Sequence, residues 1–186
     1  MSGAAMETGC RVDSDAFETL GLEPAFDLTR ESIESAYLSR IAGAHPDLGD
    51  DREADAAGLN DARRALINDE RRANLALSAH GGASAGEDAS LPAGFLFEIM
   101  DIRTEIEDVL ASGDEGERAK QEAWASQERA KYRELVTGLF KRLGEDSVER
   151  GGVLAEIRRT LNAWRYIERL IEQLEPGYDP ARADFL

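Results

Sequence analysis

Imidazole and thiolate are the side chains that most often hold metals or move protons near neutral pH. This chain of 186 residues has two histidines, His45 and His80, and one cysteine, Cys10. A carboxylate-bridged di-iron centre in a helical bundle needs Glu-x-x-His pairs. The residues three positions before the histidines are Ala42 and Leu77, so neither pair is completed. One cysteine forms neither an internal disulfide nor a Cys-rich zinc site. Gly82-Ala83-Ser84-Ala85-Gly86 has the form Gly-x-Ser-x-Gly but lies in a Gly-, Ala- and Ser-rich stretch without the strand–turn–helix setting that a nucleophile elbow needs. The chain has no phosphate-cradling Gly-x-x-x-x-Gly-Lys and no His-Glu-x-x-His. Its many acids fall at helical positions where charge means a solvated face. No catalytic residue, metal site or cofactor is expected, and the chain does not read as an enzyme.

His45-Pro46-Asp47 has a different kind of chemistry. Pro46 fixes the backbone and disfavours helical geometry at His45, so a helix should end there. Asp47 offers a carboxylate to a partner's arginine, and His45 can orient both by hydrogen bonding. The same three residues would also serve as a simple capping turn. Their setting separates the two, because the tripeptide lies in a tight polar loop between two amphipathic helices, eight residues after Tyr37.

Those helices belong to an all-α chain. Apolar residues recur at three- and four-residue steps almost throughout, with no convincing strand alternation. After a leader over 1–11, residues 12–78 read as one unit. A short apolar turn or helix from Phe17 to Leu22 stops at Glu23-Pro24. Thr29, or Asp27, caps a helix to Ala44 whose buried stripe is Ile33, Ala36, Tyr37, Ile41 and Ala44. A second long helix runs from about Arg52 to Ile67, and Asn68-Asp69 starts a shorter one through Leu77. The two long helices form an antiparallel hairpin closed by the flanking pieces. Residues 79–91, rich in Gly, Ala and Ser, read as a flexible linker. Residues 92–186 predict an antiparallel three-helix bundle followed by a short tail. Its helices end near Ser112-Gly113, run from Glu117 to Leu143, and run from Ser147 to Glu175, with Gly151-Gly152 delaying the last.

The formal charge of −16 excludes nucleic acid as a partner and disfavours anionic membrane surfaces. No run of about 18 apolar residues spans a membrane. Met1 to Cys10 lacks the basic start and apolar stretch of a signal peptide, so a cytoplasmic location is expected.

Several segments carry a resemblance. They are Phe17-Glu-Thr-Leu-Gly-Leu-Glu-Pro-Ala-Phe26-Asp-Leu, Leu59-Asn60-Asp61-Ala62-Arg-Arg-Ala-Leu66 and Arg71-Arg72-Ala73-Asn74-Leu75. Beyond the linker, Phe95-Leu96-Phe97-Glu98-Ile99-Met100-Asp101-Ile102-Arg103 is similar to Phe-Leu-Met-Glu-Gln-Met-Glu-Leu-Arg. Ala163-Trp164-Arg165-Tyr166-Ile167-Glu168-Arg169-Leu170 is similar to Lys-Leu-Arg-Phe-Leu-Asp-Lys-Leu. With the tripeptide, these segments resemble the HscB-type J-domain co-chaperones of iron–sulfur cluster assembly, from about Ala16 to Glu175.

The resemblance implies a two-lobed adaptor. Its J domain would engage a DnaK-type (HscA-like) chaperone and stimulate that chaperone's ATPase. His45, Pro46 and Asp47 are the implied contacts, with Arg40 on the preceding helix as a further candidate. The bundle would bind an IscU-type scaffold protein through Leu96, Phe97, Met100, Asp101, Thr104 and Tyr166. Leu96, Phe97 and Met100 share one helical face that can equally pack inside the bundle or anchor a partner; Asp101 and Thr104 favour an interface by being polar. Holding client and chaperone together raises the local concentration of one at the other. Alternatives are a J protein for a different client, or a J-like interaction protein that stimulates no ATPase.

The chain departs from the family in places. J domains usually carry several basic residues on the helix before the tripeptide, whereas Thr29 to Ala44 balances Arg30 and Arg40 against Glu31 and Glu34. Arg40 stands where a buried leucine is expected, Phe97 replaces a methionine, and Thr104 replaces an acid. The neutral helix predicts weaker or differently specific chaperone binding.

Overall fold

A computed structural model describes residues 15–43, 49–145, 149–175 and 178. Among the described residues there are seven helices and no strand. The chain divides into two compact units, Met1–Gly82 and Ala83–Leu186.

The first unit holds α1 (Asp15–Leu20), α2 (Arg30–Gly43), α3 (Gly49–Ile67) and α4 (Asp69–Ala79). Its helix ends follow local chemistry. Gly21, at φ +68, stops α1 in a left-handed turn that costs glycine nothing, with the Leu22 amide donating to the Phe17 carbonyl at 2.8 Å. Thr29 caps α2 by accepting from the Ser32 amide at 3.2 Å, as expected from its residue type. Asn68 caps α4 by accepting from the Arg71 amide at 2.8 Å. α3 packs against each of the other three helices. Phe17, Leu20, Phe26, Ile33, Leu59, Leu66, Ala73 and Leu77 form the core. Each large apolar member contributes about 1.5–3 kcal/mol by leaving water.

One expectation for this unit fails. Ile33 is fully buried, but Ala36 and Tyr37 are only half-covered and Ile41 lies at the surface. The buried stripe of α2 therefore covers its first half alone. Ala44, the last expected member, lies outside the described residues.

The second unit is a three-helix bundle of α5 (Phe95–Ser112), α6 (Glu115–Leu143) and α7 (Arg150–Leu174). Three contacts show that α6 and α7 run antiparallel along their whole length. Arg118 near the start of α6 donates to the Leu174 carbonyl at the end of α7. Arg129 pairs with Glu168 at 2.7 Å in the middle. Arg142 near the end of α6 pairs with Glu156 near the start of α7 at 3.0 Å. Gly113, at φ +68, ends α5, and Asp114 caps α6 by accepting from the Gly116 and Glu117 amides. That short turn folds α5 back onto both neighbours. The core is Phe95, Ile99 and Ile106 from α5, Tyr132, Val136 and Leu139 from α6, and Ile157, Leu161, Trp164 and Ile167 from α7.

The stretch expected to be a flexible linker is tied down. Ser84 donates its amide and hydroxyl to Glu87, each at 2.8 Å. The side-chain amide of Asn162 in α7 donates to the carbonyls of both Asp88 and Ser90 at 2.9 Å. Gly, Ala and Ser content alone misses this, because the anchor lies more than seventy residues away.

Candidate partner-binding surfaces

α5 is amphipathic over its first three turns, and the polarity of its two faces is unusual. Phe95, Ile99 and Ile106 are buried against the bundle. On the opposite side Leu96, Phe97 and Met100 are 51%, 80% and 65% exposed. At about 100° per residue, Leu96, Met100, Thr104, Phe97 and Asp101 fall within an arc of roughly 140° facing away from the core. Asp101 and Thr104 are exposed, and the Thr104 hydroxyl donates to the Met100 carbonyl at 3.0 Å. Tyr166 of α7 is 39% exposed, and its ring meets Phe95 edge-on with centroids 6.0 Å apart. The choice left open by the sequence is settled: Leu96, Phe97 and Met100 lie on the surface of the unit, not inside it.

Three adjacent large apolar side chains facing water lose the stabilisation they would gain by burial, and such a patch marks an interaction surface. Exposed Glu98, Asp101 and Glu105 flank it on one side of the helix, and exposed Arg103, paired with Glu107, lies on the other. The surface offers apolar anchors beside a negative flank.

In the first unit, two contacts pin α2 to α3. Arg63 donates through two nitrogens to the carboxylate of Glu34, at 2.6 and 2.7 Å. This holds the Glu34 carboxyl below its ordinary range, the Arg63 hydrogen bond being the main cause. The Tyr37 hydroxyl donates to the Asn60 side-chain oxygen at 2.9 Å, and the Arg63 guanidinium lies 5.2 Å from the centre of the Tyr37 ring. Arg40, in the last turn of α2, is exposed and reaches over Gly21, occupying the space a side chain there would fill. His45, Pro46 and Asp47 lie outside the described residues.

Three buried polar side chains, Arg72, Arg158 and Asn162, escape the sequence reading. Arg72 is 3% exposed and donates to the carbonyls of Phe26 and Leu66 and to the Asp69 carboxylate. Its signal was present: Arg72 falls on the same face as Ala73 and Ala76, and a charge in an apolar stripe requires partners. Arg158 is likewise buried in α7 and donates to Asn162 at 2.9 Å. Among the described residues, no grouping of His, Cys, Asp and Glu could hold a metal ion, and no helix is long and apolar enough to cross a membrane.

Comparisons with known proteins agree with this architecture. Residues 91–175 match the family described as the HSCB C-terminal oligomerisation domain. The co-chaperone protein HscB homologue of Aliivibrio salmonicida is 33% identical over 107 residues, covering 53% of this chain and 63% of the relative. The homologue of Neisseria meningitidis serogroup A is 32% identical over 110 residues, covering 54% of this chain and 66% of the relative. The chain thus spans a little under two thirds of the length of these curated relatives. Among solved structures, the chaperone HscB from Vibrio cholerae superposes with a TM-score of 0.62 at 26% identity, covering 86% of this chain and 94% of that one. The human co-chaperone protein HscB shares the fold, with a TM-score of 0.66 at 20% identity over 92% of this chain and 83% of that one. In sequence along its bundle and in fold along most of its length, the chain is similar to HscB co-chaperones.

Proposed function

We propose that the protein is a co-chaperone of iron–sulfur cluster assembly: it binds an IscU-type scaffold protein and delivers it to a DnaK-type, HscA-like chaperone, whose ATPase it stimulates. The observation that carries this reading is the exposed apolar face of α5, in the segment matched by the HSCB family. Leu96, Phe97 and Met100 are the anchors for the scaffold, with Asp101, Thr104 and Tyr166 beside them. A small cluster of desolvated apolar side chains supplies most of the affinity of such a contact. His45, Pro46 and Asp47, with Arg40, contact the chaperone. Leader 1–11, J domain 12–78, linker 79–91 and client-binding bundle 92–186 are the working parts. The protein acts in the cytoplasm, as an adaptor with no reaction of its own.

Binding both partners raises the concentration of scaffold at the chaperone, and J-domain contacts favour the hydrolysis-competent chaperone state. The test is single-turnover ATP hydrolysis by the chaperone, with this protein and the scaffold added separately and together. Synergistic stimulation that His45→Gln abolishes supports the reading. Stimulation to which the scaffold adds nothing assigns the protein to another client. A wild type that never stimulates overturns the co-chaperone role.

A further inference from the structure

α7 holds the entrance of α5 at two points, one helical turn apart. The first is the buried Asn162. Its side-chain amide donates to the carbonyls of Asp88 and Ser90, and its oxygen accepts from the buried guanidinium of Arg158, all at 2.9 Å. Both donors of the amide are used, and Arg158 fixes which way it points. The second point is Tyr166, whose ring meets that of Phe95, the first residue of α5. Between these points the backbone is constrained at nearly every step. The Ser90 amide donates to the Asp88 carboxylate at 2.9 Å, and Pro92 fixes its own φ. The Phe95 amide donates to the Pro92 carbonyl at 3.2 Å, and the Phe97 amide to the carbonyl of Gly94, at φ +82, at 3.0 Å. Leu96 and Phe97 lie in this first turn, ahead of the core residue Ile99. They face water, so the backbone that enters the helix sets where they point.

We propose that Asn162 is a positioning residue for the scaffold-binding face: through the carbonyls of Asp88 and Ser90 it fixes the first turn of α5, and with it the direction of Leu96 and Phe97. The inference rests on the proposed binding of an IscU-type scaffold by that face. Asn162 acts from beneath, since it is buried and its amide bonds stay inside the unit. An anchor already held in its bound direction loses less conformational freedom on binding. Without the two amide bonds, the turn carrying Leu96 and Phe97 opens more often and must be ordered by the scaffold. Met100 is spared, because it follows Ile99, where the core has already taken hold of the helix.

The experiment is isothermal titration of the full chain with the IscU-type scaffold, placing Asn162→Ala in the wild type, in Phe97→Ser and in Met100→Ser. In the wild type it should weaken binding about fivefold, the ordering of one or two side chains. In Phe97→Ser the same change should cost less than about twofold, because the anchor it positions is gone. In Met100→Ser the full factor should remain. A substitution that merely loosens the unit weakens binding equally in all three. Asn162→Asp keeps an oxygen for Arg158 but turns the other against two carbonyls, so it should bind as weakly as alanine. Hydrogen exchange gives a reading that needs no scaffold: the amides of Phe95, Phe97 and Glu98 should exchange faster in both variants, while those at the centre of α6 keep their protection. Equal losses in all three backgrounds, wild-type binding by Asn162→Asp, or unchanged exchange in that first turn overturns the positioning role and leaves scaffold binding intact. A wild type that does not bind the scaffold overturns the proposed function, and this assignment with it.

Discussion

The guanidinium of Arg72 donates to the carbonyl of Phe26 at 2.8 Å and lies 5.2 Å from the centre of the ring of the same residue. One side chain thereby fastens α4 to the segment between α1 and α2. It also donates to the Leu66 carbonyl at the end of α3 and to Asp69 at the start of α4, both at 2.5 Å. Arg72 joins by hydrogen bonds what the small core of the first unit joins by packing. The hairpin formed by α2 and α3 is held in this frame.

Arg72→Ala strands two backbone carbonyls and should cost about 2–4 kcal/mol. Lysine has no planar fork to reach three acceptors, so Arg72→Lys should recover only part of the loss. Urea unfolding followed by circular dichroism measures the cost, and hydrogen exchange assigns it to the first unit. Equal midpoints for Arg72→Ala and wild type would show that the buried charge contributes nothing net.

The Asn162 amide bonds to Asp88 and Ser90 predict local ordering. Asn162→Ala removes both donors and the acceptor used by buried Arg158. Amides of residues 84–91 should then exchange faster, while those at the centre of α6 keep their protection. The expected loss of stability is about 1–3 kcal/mol. Unchanged exchange over 84–91 would leave the segment ordered by something other than Asn162.

How legible this was in the sequence depended on the range of the interaction. Caps such as Thr29 and Asn68 act within three residues, so residue type and position announce them. The apolar period locates the ends of α5, α6 and α7 to within a residue, while α6 starts at Glu115 and α7 at Arg150 against the expected Glu117 and Ser147. For α5 that period could not say whether Leu96, Phe97 and Met100 face inward, because apolar residues occupy both sides of its first two turns. Only the packing of Phe95, Ile99 and Ile106 fixes the rotation. Ile41 misleads for a related reason: it continues the stripe of Ile33, but the core that buries the stripe ends before it. The role of Asn162 was invisible because its partners lie 72 and 74 residues away, and for Arg72 the sequence signalled a buried charge but not its contact with Phe26, 46 residues away.

The outward position of Phe97 and Met100 separates binding from folding. Phe97→Ser and Met100→Ser should shift unfolding by no more than about 0.5 kcal/mol, as surface substitutions do. Each should weaken scaffold binding about tenfold or more if it is an anchor. Isothermal titration against the IscU-type scaffold, beside a urea melt of each variant, measures both. Serine variants that bind as wild type would move the scaffold contact elsewhere on the bundle.

Tyr132 makes the second unit sensitive to alkali. Its ring stacks on Trp164, with centroids 6.4 Å apart and planes 22° from parallel. Burial, with smaller contributions from the carboxylates of Glu128 and Glu98, pushes its phenol up to about 12. In the unfolded chain the phenol ionises near its ordinary value of about 10. A group whose pKa is raised by folding contributes stability that is fully present below the unfolded value. That contribution is lost as pH rises through the folded one. The loss attributable to Tyr132 therefore falls between about pH 10 and about pH 12, and Tyr132→Phe should lack it. Urea midpoints at about pH 9 and about pH 11 should drop more for wild type than for the phenylalanine variant. Parallel drops would mean that the phenol reaches solvent in the folded protein and that its burial contributes nothing to the alkaline limit of the bundle.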